Sequence, residues 1–234
     1  MIGVVIPAHN EARRLAACLS AATAAARHPA LRQEPVQVVV VLDSCSDGSA
    51  RLAATFDVVT LSVDARNVGV ARAAGAEHLL RLGARWLAFT DADSRVAPDW
   101  LVAQLALGAD AVCGTVAVTD WRGHPAHVRE HWRRTYRDED GHRHVHGANL
   151  GVSARAYRRA GGFPALACHE DVMLVDLLAA TGASIAWSAA PRVVTSARRD
   201  ARARGGFGDT LDAWAKPAGG TLPAVLADAD GATP

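Results

Sequence analysis

Through its first hundred residues the chain alternates short apolar runs with helix-like runs, and each apolar run ends in a polar cluster. The runs are IGVVIP (2–7), VQVVVVL (36–42), VVTLSV (58–63) and WLAFT (86–90), rich in Val and Ile. Near-continuous apolarity marks strands buried on both faces, as in a parallel sheet covered by helices. The helix-like pieces fall between them. One runs from Glu11 with Leu15, Cys18, Leu19 and Ala22 on one face, a short one lies around Ala50–Thr55, and a third covers residues 69–83. In the third, Val70, Ala73, Ala74, Leu79 and Leu80 keep helical spacing. In sheets of this kind ligands bind beyond the carboxyl ends of the strands. That rule gathers PAHNE, DSCSDGS, RNVG and DADS along one edge.

The last cluster, Asp91-Ala92-Asp93, gains its meaning from this setting. A second D-A-D occurs in the terminal VLADADGATP, among Ala, Gly and Pro, so the tripeptide alone carries little. After Asp93, Pro98 can open a helix that Gly108 closes. AVCGTVAV (111–118) reads as a strand, and the polar, His-rich residues 120–146 as an exposed helix and loop. GANLGVS predicts a short strand, ARAYRRAGGF and HEDVMLVDLLAATG predict helices, and SIAWS and RVVTS predict late strands. From about Ala215 the Gly, Pro and Ala content predicts a disordered tail.

The totals narrow the class. A chain of 234 residues can bury one sizeable core or two fused lobes. Half of it is apolar and its net charge is +1, which argues against a nucleic-acid binder. Cys18, Cys45, Cys113 and Cys168 show no C-x-x-C pair and no zinc spacing, so free thiols in a reducing cytoplasm are expected. The N-terminus opens directly into a strand pattern, which speaks against a signal peptide. VQVVVVL is far too short to cross a bilayer.

Six segments then occur in a telling order: VVIPAHNEARRL, VVVVLDSCSDGS, ARNVGVARAAG, AFTDADSRVAPDWL, GANLGVSARAYRRAGGF and HEDVMLVDLL. Together they resemble family 2 glycosyltransferases of the GT-A fold over roughly residues 2–205. The resemblance implies an α/β domain over residues 1–214, followed by a tail at 215–234. A Rossmann-like nucleotide-sugar-binding half with a mostly parallel central sheet (1–95) would be fused to an acceptor-binding half (96–214). It implies transfer of a sugar, with inversion, from a nucleotide-diphosphate sugar donor to an acceptor hydroxyl, assisted by Mn²⁺ or Mg²⁺. Pro7, His9, Asn10 and Glu11 would line the nucleotide pocket, and Asp43 would hydrogen-bond the base. Asp93 would bind the metal that bridges to the diphosphate. Asp91 would contact the ribose, or the metal through water. Asp171 would be the catalytic base, with Glu170 the second choice. The family's Q-x-x-R-W element of processive members is missing, which argues against polymer synthesis coupled to export.

The residue chemistry agrees. A leaving diphosphate gains charge as the glycosidic bond breaks, and a divalent cation stabilises it. Hard cations take carboxylate oxygens and keep several waters, so one or two Asp suffice. Inverting transfer needs one base for the acceptor proton, and a carboxylate at a helix start can supply it. Each assignment has a plainer rival. Asn10 can N-cap a helix from Glu11, and Asp43 can cap the following turn. Asn67 and Gly69 would shape their loop, while Arg72 either reaches the donor or is a surface arginine. Glu170 and Asp171 also simply favour a helix N-terminus.

His142, His144 and His146 alternate as metal ligands on a strand would, yet their charged surroundings favour a solvent-facing connection. Arg198, Arg199, Arg202 and Arg204 could form a basic loop over the diphosphate or a solvated run. A haloacid-dehalogenase-type phosphatase would open with D-x-D, and a sugar nucleotidyltransferase would carry a Gly-rich loop after the first strand. A dinucleotide-dependent oxidoreductase would need G-x-G-x-x-G there. This chain has PAHNEARR. A non-catalytic nucleotide-sugar-binding scaffold stays open as the alternative. Cytoplasmic location is expected, with peripheral contact to a membrane left open.

Overall fold

A computed structural model describes residues 1–199 and 206–216. Arg202, Arg204 and the tail from residue 217 on lie outside the described residues. The first hundred residues form β1 (Ile2–Ala8), α1 (Leu15–Ala26), β2 (Val36–Asp43), α2 (Ser49–Ala53), β3 (Val59–Val63), α3 (Val68–Arg81) and β4 (Trp86–Phe89). There follow β5 (Arg95–Val96), α4 (Trp100–Ala106), β6 (Ala111–Gly114), β7 (Ala117–Val118), α5 (Ala126–Thr135), β8 (Leu150–Ser153), α6 (Ala154–Arg159), α7 (Glu170–Ala180), β9 (Ile185–Ser188), β10 (Val193–Thr195) and α8 (Phe207–Ala215).

Seven strands form one sheet in the order β3-β2-β1-β4-β8-β6-β9. Every pairing in it is parallel except those of β8, which runs antiparallel to both β4 and β6. A small sheet, β5-β10-β7, stands beside it. Side chains alternate across the main sheet with the two-residue period of a strand. Ile2, Val4, Ile6, Val38, Val40, Trp86 and Ala88 join one core with α1 and α4; Val5, Val39, Val41, Leu87 and Phe89 join the other with α3, α6 and α7. Both faces are therefore apolar, which is why the strands read as continuous apolar runs.

Two departures from the sequence reading have local causes. α1 starts at Leu15 rather than Glu11 because residues 10–12 are tied to the loop after β2. Glu11 N–H donates to Ser49 Oγ at 2.9 Å, and Ala12 N–H to Asp47 Oδ2 at 3.0 Å. The run 111–118 splits into β6 and β7, in different sheets, because side chains take over the ladder between them. The Thr115 carbonyl accepts from Asn149 Nδ2 at 2.7 Å, and Val116 N–H donates to the Tyr136 hydroxyl at 2.7 Å.

The solvent-facing connection expected for His142, His144 and His146 is corrected: all three are buried, at 0, 4 and 8 % exposure. The apolar bodies of the rings explain it. Trp132 stacks on Tyr136, Tyr136 on His144, and His142 on His144, with Trp187 edge-on to His142. Ring nitrogens accept from the chain: His142 Nδ1 from His144 N–H and His144 Nε2 from Arg137 N–H, both at 3.1 Å. Tyr136 already accepts from Val116 N–H, so its hydroxyl proton goes to His146 Nε2 at 2.9 Å.

Burial, and then the neighbouring His144 and His142, push the His146 imidazole down to about 3. Its folded value lies below the ordinary 6.5, so its stabilisation is complete above pH 6.5 and is lost as pH falls toward 3. Between pH 7 and 4 this one ring should cost about 3 kcal/mol, and His146→Leu should flatten the stability–pH curve by that amount. Urea unfolding of both proteins across that range measures the difference; parallel curves would mean that the ring stays protonatable in the fold.

Candidate active site

The carboxyl ends of β1, β2 and β4 open on a cavity of about 390 Å³, closed from the other side by the start of α7 and the residues after β10. Its size lies in the ordinary range of small-molecule sites. Pro7, His9, Glu11, Asp43, Asn67, Arg72, Asp91, Asp93, Glu170 and Asp171 all line it. Asn10 and Gly69 do not belong to this lining.

Those two shape the walls instead. Asn10 takes a left-handed conformation, φ 55°, and its Oδ1 accepts from Ser46 N–H at 2.8 Å and Asp47 N–H at 3.2 Å. It thus braces the β1 loop against the β2 loop and caps no helix. Gly69 lies under the 164–166 segment: a Cβ there would stand 2.3 Å from the Pro164 carbonyl oxygen, and its N–H donates to the Leu166 carbonyl. Asn67 caps α3, its Oδ1 accepting from Val70 N–H at 3.0 Å.

Asp43 organises the rim. Its carboxylate accepts from the backbone N–H groups of Ala65, Arg66 and Asn67 at 2.8–2.9 Å and from the Ser44 hydroxyl. Burial would raise this carboxyl, but these donors outweigh it and hold it below its ordinary value. His9 donates from Nδ1 to the Asp43 carbonyl at 2.7 Å.

Two arginines divide the acids between them. Arg72, 4 % exposed, projects from α3, donates to Asp91 Oδ1 at 2.6 Å and pairs with the buried Glu170. Its Nε is buried without a hydrogen-bond partner, and its guanidinium lies 5.8 Å from the Phe163 ring. Arg72 is therefore no surface arginine. Arg198 holds the Glu11 carboxylate through two nitrogens, Nη1 donating to Oε2 at 2.6 Å, and its Nε stands 3.4 Å from Asp93 Oδ2. Burial pushes the Asp93 carboxyl up to about 6, with Arg198 pulling the other way and Asp91 and Glu11 adding negative charge. Beneath it, Cys18 Sγ donates to the Asp91 carbonyl at 3.2 Å.

Asp171 sits in the first turn of α7, where the helix dipole favours a carboxylate. Its Oδ2 accepts from Gly147 N–H at 2.7 Å and its Oδ1 from Val172 N–H at 2.9 Å. Sequence reasoning assigned no role to Gly147. A Cβ at Gly147 would stand 2.2 Å from Arg72 Nη2, so only glycine lets Arg72 pass while its amide holds Asp171. Nothing in the string GANLG signals that contact, because Arg72 is 75 residues away in the chain. The pairing of Arg198 with Glu11 was equally hidden.

Asp171 is a partly exposed carboxylate that faces the cavity, whereas Glu170 is buried against Arg72. Asp91 and Asp93 offer oxygen donors of the kind that Mg²⁺ or Mn²⁺ takes. Among the described residues no three His, Cys, Asp or Glu side chains converge as a ready metal cage. The residues fit a cation that draws its remaining ligands from water and a bound anion. No helix among the described residues is long and apolar enough to cross a membrane.

The stability consequences are opposite for the two centres. Arg72→Met removes the cation that pairs with buried Glu170 and should cost about 3 kcal/mol. Asp93 titrates in the fold above its ordinary 3.8, so stability falls as pH rises from about 4 to about 6, and the loss persists at neutral pH. Asp93→Asn in chelator should therefore melt above the wild type at pH 7.5, by up to about 3 kcal/mol, and match it below pH 4. A lower melting point at pH 7.5 would mean that the Arg198–Asp93 attraction outweighs burial.

Comparison with known proteins follows the same lines. Residues 3–161 match the family model described as Glycosyl transferase family 2. No curated protein sequence matches the chain. Among solved structures, S. aureus TarS 1–349 in complex with UDP-GlcNAc superposes with a TM-score of 0.68 at 14 % identity, covering 88 % of this chain and 61 % of that one. The mannosyltransferase PcManGT from Pyrobaculum calidifontis, in complex with GDP-Man and Mn²⁺, gives 0.62 at 20 % identity, covering 91 % and 60 %. GalNAc-T7 with UDP, GalNAc and Mn²⁺ gives 0.59 at 13 %, covering 83 % and 43 %. The fold is thus that of GT-A glycosyltransferases, and the chain spans about 60 % of the length of TarS 1–349 and PcManGT.

Proposed function

The chain belongs to glycosyl transferase family 2, and from that premise we propose that it moves a sugar from a nucleotide-diphosphate sugar to an acceptor hydroxyl with inversion. The observation that carries the reading is the placement of Asp91, Asp93 and Asp171 around one cavity at the carboxyl ends of the parallel strands. TarS and PcManGT, similar in fold, were solved with UDP-GlcNAc and GDP-Man, which supports a nucleotide-sugar donor here.

In this reading the nucleotide lies along the ends of β1 and β2, against Pro7, His9, Asp43 and Asn67. Because Asp43 already accepts three backbone N–H bonds, it presents a rigid carboxylate edge rather than a mobile one. Asp93, with Asp91, would hold Mn²⁺ or Mg²⁺, which would stabilise charge on the leaving diphosphate. Arg72 fixes the orientation of Asp91 and anchors it to Glu170. Asp171 takes the acceptor proton. Its Oδ2 is oriented by Gly147 N–H, and a carboxylate oxygen keeps a second lone pair for the incoming hydroxyl. Glu170 acts as the buried partner of Arg72.

The test has two arms. Thermal-shift assays with UDP, GDP, dTDP and CDP, with and without Mn²⁺, should show one nucleotide that stabilises only with metal. At about a hundred times its dissociation constant it adds roughly 2.7 kcal/mol, and Asp93→Ala should abolish the gain. With the donor so identified, Asp171→Asn should keep donor binding and lose roughly 10²–10⁴-fold in turnover. Absence of any nucleotide shift would turn the reading toward a scaffold with a degenerate site, and unchanged turnover in Asp171→Asn would remove that residue as base.

A further inference from the structure

Among the described residues three arginines line the cavity: Arg66, Arg72 and Arg198. Arg66 is exposed. Arg72 is fixed within α3, with its two terminal nitrogens on Asp91 and Glu170. Arg198 differs from both. It belongs to an irregular segment three residues past the end of β10, yet its side chain is only 11 % exposed, against Glu11 at 5 % and Asp93 at 14 %. A position outside the regular elements thus delivers a largely covered positive charge to the acid that the proposed function assigns to the cation.

We propose that Arg198 is a resident counter-cation that competes with the divalent ion for Asp93 and Glu11, and that the nucleotide diphosphate relieves the competition by taking the guanidinium for itself. The inference rests on the reading of Asp93 as a cation ligand for a nucleotide-diphosphate donor.

Geometry supports the competition. A hard cation binds a carboxylate oxygen at about 2.1 Å, well inside the 3.4 Å at which Arg198 Nε faces Asp93 Oδ2. Two like charges cannot share that oxygen at such range in a partly buried site without repulsion. Glu11 strengthens the hold, because its carboxylate engages the guanidinium in a two-pronged pair, the geometry in which arginine binds most firmly. The same planar fork matches phosphate oxygens. A diphosphate entering the cavity offers Arg198 a second anion of equal fit, and the carboxylates are then released to the cation. Cation and nucleotide should therefore bind cooperatively, each favouring the state that the other needs. Arg72 does not play this part, since it projects from the regular backbone of α3 with its terminal nitrogens on Asp91 and Glu170, whereas Arg198 stands on an irregular segment.

Mn²⁺ binding read by electron paramagnetic resonance of the free ion tests this directly, on wild type, Arg198→Gln, Arg198→Lys and Asp93→Asn, each alone and with UDP or GDP. Arg198→Gln should bind Mn²⁺ without nucleotide roughly tenfold more tightly than wild type, and the gain conferred by nucleotide should shrink by a similar factor. Arg198→Lys keeps the charge and should bind Mn²⁺ alone as weakly as wild type, which separates charge competition from a structural role. If Arg198→Gln leaves or weakens the affinity for Mn²⁺ alone while nucleotide still promotes binding in wild type and Asp93→Asn abolishes it, the competition is overturned and the donor reading stands. If no variant binds Mn²⁺ with either nucleotide, the donor reading itself fails and the inference falls with it. Melting temperatures measured on the same samples confirm that each variant is folded.

Discussion

The buried guanidinium of Arg72 is the contact on which the site depends. It joins α3, the end of β4 and the first turn of α7, three pieces that are far apart in sequence. An arginine this deeply buried is tolerable only because both of its terminal nitrogens meet carboxylates. Replacing it with an apolar chain would leave Glu170 facing a void of charge, and Asp91 without orientation. The glycine at 147 follows from this packing, since a Cβ there would collide with the Arg72 guanidinium. Asp171 is then held by the amide that Gly147 contributes. Arrangement of the acids is thus a matter of backbone access as much as of charge.

The acids form two sets, each with its own arginine. Arg72 serves Asp91 and Glu170 from a helix; Arg198 serves Glu11 and Asp93 from a loop. The first set is fixed by secondary structure and the second is not. With the exchange proposed for Arg198, this division gives the acids a fixed positive charge from a helix and an exchangeable one from a loop, Arg72 at 4 % exposure and Arg198 at 11 %.

Much of this was legible from the sequence. The four apolar runs read as continuous because both faces of the sheet are covered, and their polar ends do meet around one cavity. α3 and α7 were visible in the spacing of Leu79 and Leu80 and in the run after Glu170. What stayed hidden is long-range. The Asn10 side chain bridges to residues 46 and 47 rather than capping its own helix, because the loop after β2 presents two free amides nearby. The histidines of GHRHVHG look solvated by composition, yet His144 stacks on Tyr136 and His142 meets Trp187 edge-on, contacts that spacing does not announce. Arg198 meets Glu11 across 187 residues, a separation at which no periodicity carries information.

The placement of β8 has a further consequence. It is the one reversed strand of the main sheet and lies between β4 and β6, so it seals the edge of β4 with residues from much later in the chain. Trp86–Phe89 is buried at every position. Until residues 150–153 arrive, that strand is an unpaired, fully apolar edge, the kind that templates association between chains. The portions before and after residue 95 are therefore not two separable halves. Synthesis must proceed well past the middle before the leading four strands are protected, and a chain cut after residue 95 keeps its Rossmann-like pattern while exposing its stickiest strand.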